Sequence, residues 1–111
     1  MNIRRGDVVI CALQGELGKP RPAVVLQSDL FNESHGSMTV CPVTSHLLEA
    51  PLFRVVLKPE ATNGLKNESQ VMVDKLSTVG RQRIKSVVGH LAPDDLARVE
   101  TAVMLWLGLR G

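Results

Sequence analysis

Gly18-Lys19-Pro20-Arg21-Pro22-Ala23-Val24-Val25-Leu26 sets one arginine between two prolines, at the mouth of an unbroken apolar run. Each proline fixes its own φ and pushes the residue before it out of the helical region. Arg21 is therefore held extended, and Ala23 to Leu26 continue as a buried strand. A guanidinium carries five donors in a rigid fork that suits phosphate or carboxylate. Taken alone, an arginine in such a place more often lies along the surface or pairs with a nearby acid. Its neighbours in the chain decide between the two readings.

On both sides of this stretch the chain continues as short strands. Asp7 to Leu13, Pro22 to Gln27, Met38 to Thr44, Leu52 to Leu57, Glu68 to Asp74 and Ile84 to Leu91 are β-branched or alternating runs bounded by turn residues. Pro42 inside the third run asks for a sheet edge or a bulge, and Gly89 in the last is a second bulge candidate. Asp29 to Asn32 is short enough for a single helical turn, and Lys75 to Arg83 reads as a connection with a short 3₁₀ turn. Strands punctuated in this way favour a small barrel over a βαβ fold. The end of the chain changes period. Leu96, Val99, Ala102, Val103, Trp106 and Leu107 recur at helical spacing, Pro93 suits the first helical position, and Gly108 is a natural stop. The expected fold is mainly β (α+β): a small barrel with a C-terminal amphipathic helix, in one domain over residues 1–111, with Trp106 as a core anchor.

With 111 residues and 44% hydrophobic content the chain can bury a core. A net charge of +2 does not argue for nucleic acid by itself. Its distribution says more: Lys75, Arg81, Arg83 and Lys85 follow one another with no acid between Lys75 and Pro93. No run is apolar over the ~18 residues that a membrane span needs. Cys11 and Cys41 sit inside strand-like runs without metal-ligand spacing, so reduced buried thiols and a cytoplasmic location are expected.

Metal chemistry finds little support. His35, His46 and His90 lie on separate elements without paired ligand spacing, and no cofactor motif is present. There is no nucleophile elbow and no glycine-rich phosphate loop. Two Phe, one Trp and no Tyr are too few for a base-stacking platform. Polar residues at strand ends remain: Glu16, Arg21, Thr44, His46 and Asp74. Such a set can cleave RNA without metal, because the 2′-hydroxyl of RNA is its own nucleophile and the protein need only position it, move protons and stabilise phosphorane charge.

Together these residues resemble the MazF/PemK family of toxin endoribonucleases. Arg5-Gly6-Asp7-Val8-Val9 resembles its first strand, Arg21-Pro22-Ala23-Val24-Val25-Leu26 its core motif, and Thr39-Val40-Cys41-Pro42-Val43-Thr44-Ser45 the strand that ends in a catalytic threonine. The likeness continues through Glu68 to Val71, Thr78, Arg81 to Ile84, Val88 to Leu91 and the final helix. It implies an SH3-like barrel, a homodimer, and cleavage of single-stranded RNA to a 2′,3′-cyclic phosphate and a 5′-hydroxyl. It also implies a cognate antitoxin, and through that antitoxin an indirect link to operator DNA. Arg21 and Thr44 take the catalytic roles; Glu16, His46 and Asp74 share the place of the base. Lys19, Ser45, Lys75, Arg81 and Arg83 are the expected RNA contacts. Two positions depart from the pattern: Met72 and Ser77 stand where some members carry arginine. Trp106-Leu107-Gly108-Leu109 gives a second resemblance, to the CcdB toxins, which poison DNA gyrase without catalysis. A noncatalytic SH3-like binding module is the third reading.

Overall fold

The computed structural model describes residues 1–13 and 19–110. Seven strands form one antiparallel sheet: β1 (Asp7–Cys11), β2 (Arg21–Val25), β3 (Ser37–Thr44), β4 (Arg54–Leu57), β5 (Ser69–Met72), β6 (Ser77–Gly80) and β7 (Ile84–His90). A one-turn helix α1 (Asp29–Asn32) follows β2, and α2 (Pro93–Leu107) closes the chain. The strands run in the order β4-β5-β3-β2-β1-β7, with β6 also on β3. The architecture is α+β and barrel-like, but β4 and β7 at the two ends are not paired with each other.

The apolar runs are explained by burial on both faces. Val8, Val24 and Cys41 belong to one core with Leu57, Val71 and, from α2, Val99. Their neighbours Val9, Val25 and Val40 belong to a second core with Ile3, Met38 and Ile84. Successive side chains point to opposite faces, so a strand covered on both sides has no polar position to offer.

The sheet differs from the sequence reading in three places. Ser77–Gly80 is a seventh strand where only a connection was expected; 3₁₀ turns at Val73–Lys75 and Arg81–Arg83 flank it. Pro42 lies in the sheet interior rather than at an edge. The Thr39 carbonyl accepts from the Leu26 and Gln27 N–H groups on the β2 side. By alternation Pro42 faces the other way, where β3 has left β6 at Val40 and not yet met β5 at Val43. The donor that proline lacks is missing where no partner strand asks for it. On β7 the extra residue is Val88, beside Gly89, because Val8 pairs with Gly89 and Val9 with Val87.

The helix begins at Pro93 and ends on Gly108 at φ 70°, whose N–H reaches back to Leu105. Val99 and Ala102 are buried beneath it. Trp106 stacks on Phe53 at 5.4 Å between ring centroids, yet it keeps 48% of its surface. It anchors the helix from the rim rather than from within the core.

The segment between β4 and β5 bridges the open side of the sheet. His90 N–H donates to the Thr62 carbonyl at 2.7 Å. A Cβ on Gly89 would meet the Asn63 carbonyl carbon at 2.3 Å, and one on Gly64 would meet the Val88 oxygen at the same distance. Gly64 also adopts φ 70°, so both glycines are required by the approach. Asn63 is fully buried and ties the segment to itself. Its amide donates to the Lys58 carbonyl at 2.9 Å, and its Oδ1 accepts from Glu60 N–H and Leu65 N–H.

Candidate active site

Arg21 opens β2 and Thr44 ends β3. The two strands pair Ala23 with Pro42, Val24 with Cys41 and Val25 with Val40. Extending this register two residues outward sets Arg21 across from Thr44, and residues directly opposite share a face. The ladder itself stops at Ala23, since Pro22 has no N–H to carry it further. Arg21 and Thr44 both line one solvent-open cavity of about 590 Å³, together with Ser45, Lys66, Asn67 and Ser69.

The electrostatics of this cavity start with Arg21. Its Nε is buried and has no hydrogen-bond partner among the described residues. A buried guanidinium N–H without an acceptor is rare and asks for one. Thr44 Oγ1 accepts from the His46 N–H at 3.1 Å, which fixes the turn after β3. That bond uses a lone pair, so the hydroxyl proton remains free to donate. Gln70, paired with Thr44 across β3 and β5, holds the next segment by accepting from Leu48 N–H at 3.0 Å and donating to Leu48 O at 2.8 Å.

The other expected site residues divide. Ser45 lies in the cavity with Arg21 and Thr44. His46 is exposed at its edge and outside its lining. Lys19 is exposed two residues before Arg21, and Glu16 falls outside the described residues. Asp74 is not in the cavity. Arg54 grips it in a bidentate pair at 2.7 and 3.0 Å, and that bond holds its carboxyl below the usual carboxylate range. Arg54 stands directly across from Met72 in the β4–β5 register. The cation that the family pattern puts two residues before this acid is here supplied by the neighbouring strand.

The basic run does not form one patch. Arg81 points its guanidinium at the Asn32 carbonyl and the Met38 sulfur, and its N–H donates to Gly36 O. That is the start of β3, about 23 Å along the strand from Thr44 at ~3.3 Å per residue. Lys75 is exposed on the 3₁₀ turn beside Asp74. The Arg83 carbonyl, at the end of the Arg81–Arg83 turn, accepts from Ala12 N–H next to the Cys11–Ile84 pair. Sequence reasoning missed Lys66, Asn67 and Ser69. Asn63-Gly64 signals a tight turn, but no local signal says that the turn reaches across to β7. Among the described residues no three His, Cys, Asp or Glu side chains are placed to hold a metal ion.

Residues 4–107 match the model of the PemK-like, MazF-like toxins of type II toxin–antitoxin systems. The chain belongs to this MazF-like toxin family. The probable endoribonuclease MazF of Mycolicibacterium smegmatis is 39% identical over 110 residues, covering 98% of this chain and all of that one. Endoribonuclease EndoA of Bacillus subtilis is 26% identical, covering 98% of this chain and 97% of its own. A crystal structure of MazE–MazF from Deinococcus radiodurans superposes with a TM-score of 0.80 at 29% identity, over 97% of this chain and 98% of that one. The MazF-like activity is that of an endoribonuclease toxin. Trp106 and Gly108, which suggested a gyrase poison, are accounted for by the Phe53 stack and the left-handed cap.

Proposed function

We propose that this MazF-like toxin cleaves single-stranded RNA in the Arg21–Thr44 cavity without a metal. The substrate 2′-oxygen forms a bond to the adjacent phosphorus, and the bond from phosphorus to the 5′-oxygen breaks. The proton leaves the 2′-hydroxyl for a base, and the departing 5′-oxygen takes one up. The products are a 2′,3′-cyclic phosphate and a 5′-hydroxyl. Arg21 donates to the non-bridging oxygens, whose charge grows in the transition state, and Thr44 donates its hydroxyl to the same phosphate. The base is one of Glu16, His46 and Asp74. The commitment of Asp74 to Arg54 speaks against it, and the bond from the His46 backbone to Thr44 keeps His46 near.

The observation that carries this reading is the buried Arg21 Nε, without a partner among the described residues, in one open cavity with Thr44. Lys19 and Ser45 would follow the RNA beside the cavity, with Arg83 and Lys75 outside its lining. In the cell the chain would act in the cytoplasm as a homodimer, restrained by a cognate antitoxin and linked to operator DNA through it. The MazE–MazF assembly of Deinococcus radiodurans supports that partner class. The test is incubation with a mixed single-stranded RNA in EDTA, with end-group analysis. Cyclic phosphate ends are expected, and Arg21→Ala and Thr44→Val should each lower kcat by about 10²-fold or more. Full activity in Arg21→Ala refutes the assignment.

A further inference from the structure

The lining of the cavity follows a ring. From Thr44 on β3 it passes to Ser69 on β5, then along Asn67, Lys66 and Gly64 to Val88 on β7, and through Ile10 on β1 back to Arg21 on β2. Strands β1 and β7 stand between β2 and the β4–β5 segment. Lys66 is exposed, and among the described residues it forms no ion pair. Its backbone is nevertheless set firmly, by buried Asn63, by the Thr62–His90 hydrogen bond and by the close contacts at Gly64 and Gly89. An exposed cation on a fixed wall of the cavity, together with an arginine whose Nε has no acceptor among the described residues, makes two anion sites in one groove.

We propose that Lys66 is a second phosphate-binding residue of this site. With Arg21 on the scissile phosphate, Lys66 binds a neighbouring phosphate of the same strand, and Asn67 beside it contacts the intervening nucleotide. The proposal rests on the RNA-cleaving reading and adds the direction in which the strand crosses the ring. A contact to a neighbouring phosphate is made equally in ground state and transition state, so it acts on binding and leaves the chemical step alone.

The probe is a short single-stranded oligoribonucleotide containing a mapped cleavage site, used cleavable for kinetics and with one 2′-deoxy nucleotide at the scissile position for binding. Lys66→Ala should raise KM and Kd about tenfold with kcat within twofold. Each phosphate contact to a single strand contributes about 0.7 to the slope of log K against log salt, so the slope should fall by about 0.7. Lys66→Arg should restore both. Lys58→Ala is the control, because Lys58 lies on the same segment outside the cavity, 4.0 Å from Glu68. An unchanged Kd and slope in Lys66→Ala, beside an active wild type, overturn the proposal. So does a fall in kcat with KM unchanged. A wild-type chain that neither binds nor cuts any RNA overturns the cleaving reading and this assignment together.

Discussion

Gly89→Ala tests the bridge that closes the site. A Cβ at residue 89 lands 2.3 Å from the Asn63 carbonyl carbon and 2.4 Å from its oxygen. Those are backbone atoms of a segment fixed by its own buried side chain, so no rotamer change relieves the overlap. The segment must move away by about an ångström. Overpacking of this kind costs about 3 kcal/mol, and loss of the Thr62–His90 hydrogen bond adds about 1 kcal/mol. For 111 residues, at ~2.1 cal/mol/K per residue, about 4 kcal/mol lowers Tm by about 17 °C. The assay is a thermal melt by circular dichroism, with RNA cleavage measured well below the transition. Gly36→Ala is the control, since a Cβ there meets nothing within 4 Å. A Gly89→Ala variant that melts within 2 °C of wild type would refute the claim that the β4–β5 segment is locked onto β7.

Asp74 gives a pH dependence. Its folded pKa lies below its ordinary value because Arg54 bonds the carboxylate. The pair therefore stabilises fully above the unfolded carboxylate pKa of about 3.9, and the contribution is lost as pH falls through the lower folded value. Urea midpoints of wild type and Asp74→Asn should differ at pH 7 and converge toward pH 2; a constant gap contradicts the pairing. Cys41 is fully buried, and burial, with the Asp74 charge adding, pushes its thiol up to about 12. It should resist alkylation at pH 8 in the native protein and react on unfolding, as followed by mass spectrometry. Rapid native labelling at Cys41 contradicts that burial.

Most of the strands were legible because β-branched runs between turn residues have few other uses. The helix was legible because proline, two aspartates and a glycine mark its ends. β6 was not, since Ser77–Gly80 carries one buried apolar residue, Val79, and is held in place by β3. Arg21 and Thr44 could be paired from sequence only through the family likeness; the register then supplies the physical reason. The basic run misled because charge order along a chain says nothing of direction: Arg81 turns to the Asn32 carbonyl by the start of β3, while Lys75 lies on a separate turn beside Asp74. Met72 looked like the loss of a cation. The cation is present, but it arrives as Arg54 from β4, a pairing that only the sheet register reveals.

The strand that opens the sheet also waits for the one that ends it. β1 pairs with β7, and the Asp7 carboxylate meets His90 Nδ1 at 2.8 Å. The bridge over the open side likewise leans on Val88 and Gly89. Arg21 and Thr44 are both made well before β7, yet the ring around them cannot close until His90 has left the ribosome. A chain still being translated carries the arginine and the threonine without the groove that joins them, and the site is assembled only once β7 has emerged to meet β1.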